Sequence, residues 1–296
     1  FIIGIFGNLS FTLSICFPYA TFSFSQVIVA IKRTQTLVEQ LEVQSESIKC
    51  CEKNYPRIRL KDVTVSVGDK IILNNVSCTM DKGLTLVTGV AGSGKSFLLV
   101  TLLKEFEVSK GDLVVEGIIS YACQESWLFP STIRQNIIFG SKYEHKRYQD
   151  VIKACDLQYD FDLLEKGDST VVADRGINLS KGQQSRIKLA RAIYKESDIY
   201  LLDDCLSSLD PPVERFIFTN CILKFLHNKI VLLVSHNKNL IPYANKVLKL
   251  SEGHLEFVKN DYPAQIDDLV VTISKANVHK EESETKDEEI SDEEKL

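Results

Sequence analysis

The residues with the plainest chemistry are Gly89, Val90, Ala91, Gly92, Ser93, Gly94, Lys95 and Ser96, which fit the pattern G-x-x-x-x-G-K-[ST] in full. The spacing has a mechanical reason. Glycines let the backbone curl until successive N–H groups point inward at a chain of phosphates. A helix starting at the lysine adds the positive end of its dipole. Lys95 can then reach the β- and γ-phosphates, and the Ser96 hydroxyl suits Mg²⁺. The pattern arises by chance in roughly one chain in a hundred of this length, so its context matters. A second candidate run, Ile199-Tyr200-Leu201-Leu202-Asp203, reads as an apolar strand ending in a carboxylate. Such an aspartate orders Mg²⁺ beside a phosphate loop, and Asp204 follows where a general base for water would stand.

These residues need a scaffold, and the surrounding pattern predicts an α/β one. From Ile58 onward the chain reads as short β-type runs. Residues 60–67 and 70–77 predict paired strands around the turn Gly68-Asp69. Residues 84–88 predict a buried strand leading into the glycine loop, and 96–106 a helix leaving it. Further strands are expected at 117–123, 199–203 and 230–234, with helical stretches between them. That alternation argues for a largely parallel sheet covered on both faces. Residues 247–257 look like a closing hairpin turning at Glu252-Gly253.

The start of the chain differs. It opens at Phe1, inside an apolar run, which suggests a fragment of a longer protein; no charged residue or histidine appears through Ile31. About 20 such residues span a bilayer as a helix, and Lys32-Arg33 follow where a helix emerges on the cytoplasmic side. A buried soluble helix suits shorter runs better. Pro18 predicts a kink. Residues 26–45 keep helical spacing, and a linker at 53–57, with Pro56 as the breaker, ends that helix.

Composition excludes other classes. The 296 residues are 44% hydrophobic and 25% charged, which fits a globular core. The net charge of −5 is concentrated at one end: residues 280–296 alone carry −6. The remainder offers no basic face for nucleic acid, and the acidic tail is expected to be disordered. Eight cysteines show no metal or redox spacing, so a reducing compartment without structural bridges is expected.

Asn178-Leu179-Ser180-Lys181-Gly182-Gln183 precedes a helical stretch at 184–194. Here the chain resembles ATP-binding cassette proteins, whose signature LSGGQ opens a helix. In that likeness Gln124 resembles the Q-loop glutamine, 206–210 (Leu-Ser-Ser-Leu-Asp) the D-loop, and His236 the switch histidine. The stretch 132–140, the triplet Asp174-Arg175-Gly176 and the pair Asp203-Asp204 resemble the first cassette of the multidrug-resistance-associated proteins. Residues 27–36 resemble the end of that family's first membrane domain.

The resemblance implies a P-loop NTPase cassette with a mostly parallel core sheet, an antiparallel β subdomain and a helical subdomain. It implies a transmembrane segment at 1–31, a helical extension and linker at 32–57, the cassette at 58–258 and an acidic linker at 259–296. ATP and Mg²⁺ are the implied cofactors, with Ser96, Gln124 and Asp203 on the metal and Asp204, His236 and Gln124 in catalysis. Leu179, Ser180, Lys181, Gly182 and Gln183 would face a second ATP held by a partner cassette on the same polypeptide. The expected whole is an integral membrane exporter of organic anions, at the plasma membrane, with this cassette in the cytoplasm.

Three departures qualify that expectation. Asp204 replaces the usual glutamate, and its carboxylate is one methylene shorter. Lys181 replaces the first signature glycine. Val67 stands about where an aromatic stacks on adenine, and Tyr55 is the nearest upstream aromatic. A nucleotide sensor that does not hydrolyse, or a degenerate paralogue, remains the alternative.

Overall fold

The computed structural model describes residues 17–46 and 55–258, apart from 69, 126, 174 and 175, together with 7, 10, 11 and 14. The chain divides into two compact units, Phe1–Lys53 and Asn54–Leu296. Most of the expected membrane segment before Phe17, the pair Asp174-Arg175, and the acidic tail lie outside the described residues.

In the first unit one helix, α1 (Phe17–Glu46), runs through the expected boundary at 31–32. Pro18 stands in its first turn, where a missing N–H breaks no helical bond. Thr21, Ser25, Thr34 and Thr36 donate their hydroxyls to carbonyls three or four residues back, at 2.8–3.0 Å. Phe17, Tyr19, Phe22 and Phe24 are exposed. Among the described residues no helix is long and apolar enough to cross a membrane.

The second unit begins with β1 (Arg57–Val67) and β2 (Lys70–Met80), an antiparallel pair joined at Gly68. β3 (Gly83–Thr88) enters the glycine loop and α2 (Lys95–Leu102) leaves it. The helix ends sooner than its spacing predicts, because Lys104 turns into the left-handed region. β4 (Lys110–Glu116) then pairs antiparallel with β1, giving a three-stranded sheet of order β2-β1-β4. Its sequence begins Lys-Gly-Asp, and the strand formers Leu113-Val114-Val115 that follow were not among the expected strands. The pairing depends on Gly111, where a Cβ would meet the Asp62 carbonyl oxygen at 2.3 Å. Only a glycine tolerates that approach at the irregularity in β1.

The main sheet has the order β5-β6-β7-β3-β8-β9, with β5 (Ile119–Ala122), β6 (Ile199–Asp203), β7 (Ile230–Val234), β8 (Lys246–Ser251) and β9 (His254–Val258). All neighbours are parallel except β8 and β9. Every residue of β6 and β7 is buried, as continuous apolar runs in a doubly covered sheet should be. Alternation sends Leu201 and Leu232 to the face covered by α2 and the small sheet. It sends Leu202 and Leu233 to the other face, covered by α3 (Ile133–Ile138), α4 (His145–Ala154), α6 (Lys181–Tyr194) and α7 (Pro211–Ile217). α5 (Gln158–Leu163) lies between α4 and α6 in the chain, and α7 continues as a π-helical turn, Phe218–Phe225. The expected α/β class, parallel core and antiparallel subdomain are all present.

Candidate functional site

Strand register brings four separated motifs to one edge. Val87 and Asp203 both pair with Val234, and Ala122 pairs with Leu202. The C-terminal ends of β5, β6, β7 and β3 are therefore level. Gly89 stands two residues past Val87, His236 two past Val234, Gln124 two past Ala122, and Asp204 directly after Asp203. With neighbouring strands about 4.8 Å apart, the β3 and β6 ends are about 10 Å apart. Open parallel sheets bind ligands at this edge.

The glycine loop is held close to its neighbours. A Cβ on Gly89 would stand 2.3 Å from the Leu250 carbonyl oxygen, so the loop can turn there only as glycine. Gly94, at φ 98°, is the N-cap of α2 and supplies no capping side chain. The first-turn N–H groups are thus left to a ligand. The Lys95 amine donates to the carbonyls of Gly89 (3.1 Å) and Val90 (2.8 Å), bridging the start of its own loop. Burial lowers the Lys95 pKa, against the pull of Asp203 and Asp204. Ser93 Oγ is buried and has no hydrogen-bond partner among the described residues, an orphan that a phosphate oxygen would satisfy.

Asp203 is 2% exposed, with the Ser96 and Tyr121 hydroxyls beside its carboxylate. Burial pushes its pKa up; the Ser96 hydroxyl opposes that, Asp204 adds to it, and Lys188 and Lys95 oppose it. Burial, and then the charge of Asp203, also raises the Tyr121 pKa. Lys188, on a buried face of α6, donates to the Gln124 carbonyl at 2.9 Å. Asp204 lies in the left-handed region at φ 45°, which short carboxylates tolerate. Its N–H donates to Val234 O at 3.1 Å and its carbonyl accepts the Ser207 hydroxyl at 2.9 Å. Among the described residues no three His, Cys, Asp or Glu side chains gather into a metal site. One hydroxyl and one carboxylate do fit Mg²⁺, which takes few protein ligands and completes its shell with phosphate and water.

The signature segment sits at the other end of α6. Ser180 caps that helix: its Oγ accepts the Gln183 N–H at 3.1 Å, and Gln183 Oε1 accepts the Ser180 N–H at 2.9 Å. The helix therefore starts three residues earlier than its sequence period suggests. Gln183 Nε2 also donates to Asp160, which pairs with Arg186 at 2.7 Å. Leu179 is buried and Lys181 is exposed. A Cβ on Gly182 would lie 3.7 Å from Ser208 O, so the signature touches the 206–210 loop. Asp210 is the N-cap of α7, and Glu214 in that helix accepts from Asn237, next to His236, at 2.8 Å. Among the described residues no hydrogen bond joins 179–183 to 89–96.

Sequence reasoning missed Tyr121, Lys188, Glu214 and Asn237. Lys188 left a signal, a charge on the apolar side of a helical stretch; Tyr121 left none. Cys78, Cys123, Cys155, Cys205 and Cys221 are free thiols.

A strand, a glycine loop and a helix, with a buried aspartate two strands away, define a P-loop nucleotide-binding protein. Residues 73–207 match the ABC transporter family. Over 257 residues the chain is 40% identical to ATP-binding cassette sub-family C member 4 of Homo sapiens, covering 86% of this chain and 19% of that protein. It is 35% identical to the probable multidrug resistance-associated protein lethal(2)03659 of Drosophila melanogaster, covering 88% and 20%. It is 36% identical to ABC transporter C family member 9 of Arabidopsis thaliana, covering 77% and 16%. The chain carries an ATP-binding cassette of the multidrug-resistance-associated branch of ABC transporters. It spans about a fifth of the length of the curated relatives it matches.

Proposed function

We propose that this cassette is the first of two in an ATP-driven membrane exporter of organic anions or conjugates, and that its own ATP site turns over slowly. The observation that carries the reading is the level edge where Gly89–Ser96, Asp203 beside Ser96, Asp204 and His236 converge. Lys95 and the N–H groups of Gly89, Val90, Ala91, Gly92, Ser93 and Gly94 hold the phosphates. Ser96, Asp203 and Gln124 would hold Mg²⁺, which when bound would neutralise charge on the phosphates.

Asp204 takes a proton from the attacking water and His236 faces the γ-phosphate. The left-handed turn at Asp204 fixes the direction of its carboxylate, and the shorter side chain holds it farther from the water than glutamate would be. Ser180, Lys181, Gly182 and Gln183, with Leu179 buried behind them, face an ATP held by the second cassette. Residues 1–31 form the last membrane-spanning segment before the cassette. The reading has the cassette in the cytoplasm, joined to transmembrane domains, with the plasma membrane as the proposed location.

Phosphate release by the full-length protein, in a background where the second cassette's catalytic residue is replaced so that only this site turns over, tests the catalytic role. Asp204→Asn should lower it about tenfold or more, within the range for a lost general base. Unchanged release would instead favour a nucleotide sensor, the reading to which the short Asp204 side chain lends weight.

A further inference from the structure

Lys188 stands in the middle of α6, flanked in the chain by the core residues Ile187 and Leu189, and is only 4% exposed. An ammonium group is costly to bury unless something balances its charge. Its hydrogen bond to the Gln124 carbonyl, at 2.9 Å, satisfies one donor but cancels no charge. Among the described residues no carboxylate comes within ion-pair distance of it. The charge is therefore left to act over a longer range.

What it acts on follows from the strand register. Ala122 pairs with Leu202, so Gln124 and Asp203 stand at the ends of neighbouring strands, which run about 4.8 Å apart. The Lys188 amine thus lies on the β5 side of Asp203, and Lys95, at the start of α2, on the β3 side. Both charges oppose the rise in the Asp203 pKa, Lys188 ahead of Lys95. Burial pushes the Cys205 thiol up to about 12, and Lys188 is the first charge to oppose it. Residues on both sides of Asp204 therefore feel the buried amine.

These charges set what the edge requires of a ligand. Asp203 and Asp204 alone would repel a polyphosphate unless a metal came with it. Lys95 offsets one carboxylate and Lys188 the other. The amine is part of the chain, whereas Mg²⁺ must be captured from solution. We infer that Lys188 is a resident cation of the nucleotide site, a specificity-determining residue that lets the site hold a nucleoside triphosphate with little help from Mg²⁺. The inference rests on the nucleotide-binding reading above and adds which form of the ligand the site accepts.

The experiment is equilibrium binding to the full-length protein, with the phosphate-loop lysine of the other cassette replaced. ATP is titrated in excess Mg²⁺ and, separately, in a chelator that removes divalent metal. Wild-type protein should bind metal-free ATP within about tenfold of Mg·ATP. Lys188→Met keeps the length of the stem and loses the charge. Metal-free ATP carries twice the net charge of Mg·ATP, so the variant should weaken the first about tenfold and the second about threefold. Lys188→Arg, which keeps the charge, should restore the wild-type ratio. Lys188→Gln keeps a donor for the Gln124 carbonyl without the charge, and repeats the test if the methionine variant folds poorly. Loss confined to Mg·ATP would mean that Lys188 only holds the Gln124 peptide in place, and overturns the inference. So does an unchanged ratio of the two affinities, with or without a lowered melting temperature. Wild-type protein that binds Mg·ATP but no metal-free ATP overturns it too, while leaving the nucleotide site intact. Failure to bind ATP in either condition, or binding unchanged by Lys95→Ala, overturns the nucleotide reading itself.

Discussion

Two helices in this cassette open beside the motifs proposed to meet phosphate, and their N-termini are finished in opposite ways. α2 starts from Gly94 in a left-handed turn with no side-chain cap. α6 starts from Ser180 inside a reciprocal capping box with Gln183. A bare N-terminus leaves backbone donors for a ligand, whereas a capped one is satisfied by its own chain. The difference fits their stations. On the proposed reading the α2 end would face a nucleotide held by this chain, and the α6 end one delivered by a partner. A helix that waits for its ligand needs its own cap; even so, the box uses the Ser180 oxygen as acceptor and leaves the hydroxyl proton to donate.

The largest test of this contrast is Lys95→Ala. The open end should act through its ligand, so ATP affinity should fall about 100-fold, the scale of losing one or two charge-assisted hydrogen bonds. Thermal stability without nucleotide should change little, because the amine bonds only two loop carbonyls. Calorimetric titration beside a melting curve checks both halves. A large loss of stability with affinity retained would remove the distinction between the two ends.

Gly89→Ala comes next, with about 2–3 kcal/mol of stability lost in denaturant unfolding. Its Cβ would meet Leu250 O at 2.3 Å, and both atoms belong to backbone, so β8 and the loop must separate. Wild-type stability would mean that the loop is looser than its contacts suggest.

Ser180→Ala should cost about 1 kcal/mol, the worth of an N-cap, with Lys95-dependent ATP binding unchanged. The pattern of effects is the point: the open end loses ligand and keeps its fold, while the capped end loses fold and keeps the ligand held by this chain.

How far the sequence carried this picture depends on what kind of force fixes each part. The phosphate loop was legible because backbone geometry dictates residue type, and only glycine turns where Gly89 and Gly94 turn. β6 and β7 were legible because strands buried on both faces are continuous apolar runs. The place of β4 was not, because it comes from Gly111 meeting the carbonyl of Asp62 across the sheet, a contact with no local period. α6 began three residues early for a related reason: the polar run Ser-Lys-Gly-Gln reads as a loop until its reciprocal hydrogen bonds are seen. Tyr121 beside Asp203 left no signal, since it joins elements far apart in the chain, and Lys188 left only a charge on the apolar side of a helical stretch, with nothing to point to Gln124.

The smallest expected effect is also the one that bears most closely on the capped end. Lys181 is the first residue of α6 and is exposed. A cation there opposes the helix dipole, so its removal should gain a few tenths of a kcal/mol. Glycine at the same position gives up some helix propensity in return. Lys181→Gly should therefore shift unfolding free energy by less than about 0.5 kcal/mol. If the α6 terminus faces a partner's γ-phosphate, the same change removes a charge from that encounter. ATP-driven closure of the full-length protein would then weaken and lose part of its salt dependence, since screening acts on exposed charges. Closure followed by distance labels on the two cassettes, at low and high salt, separates the cases. Identical closure in both proteins at both ionic strengths would mean that Lys181 lies away from the partner's phosphate.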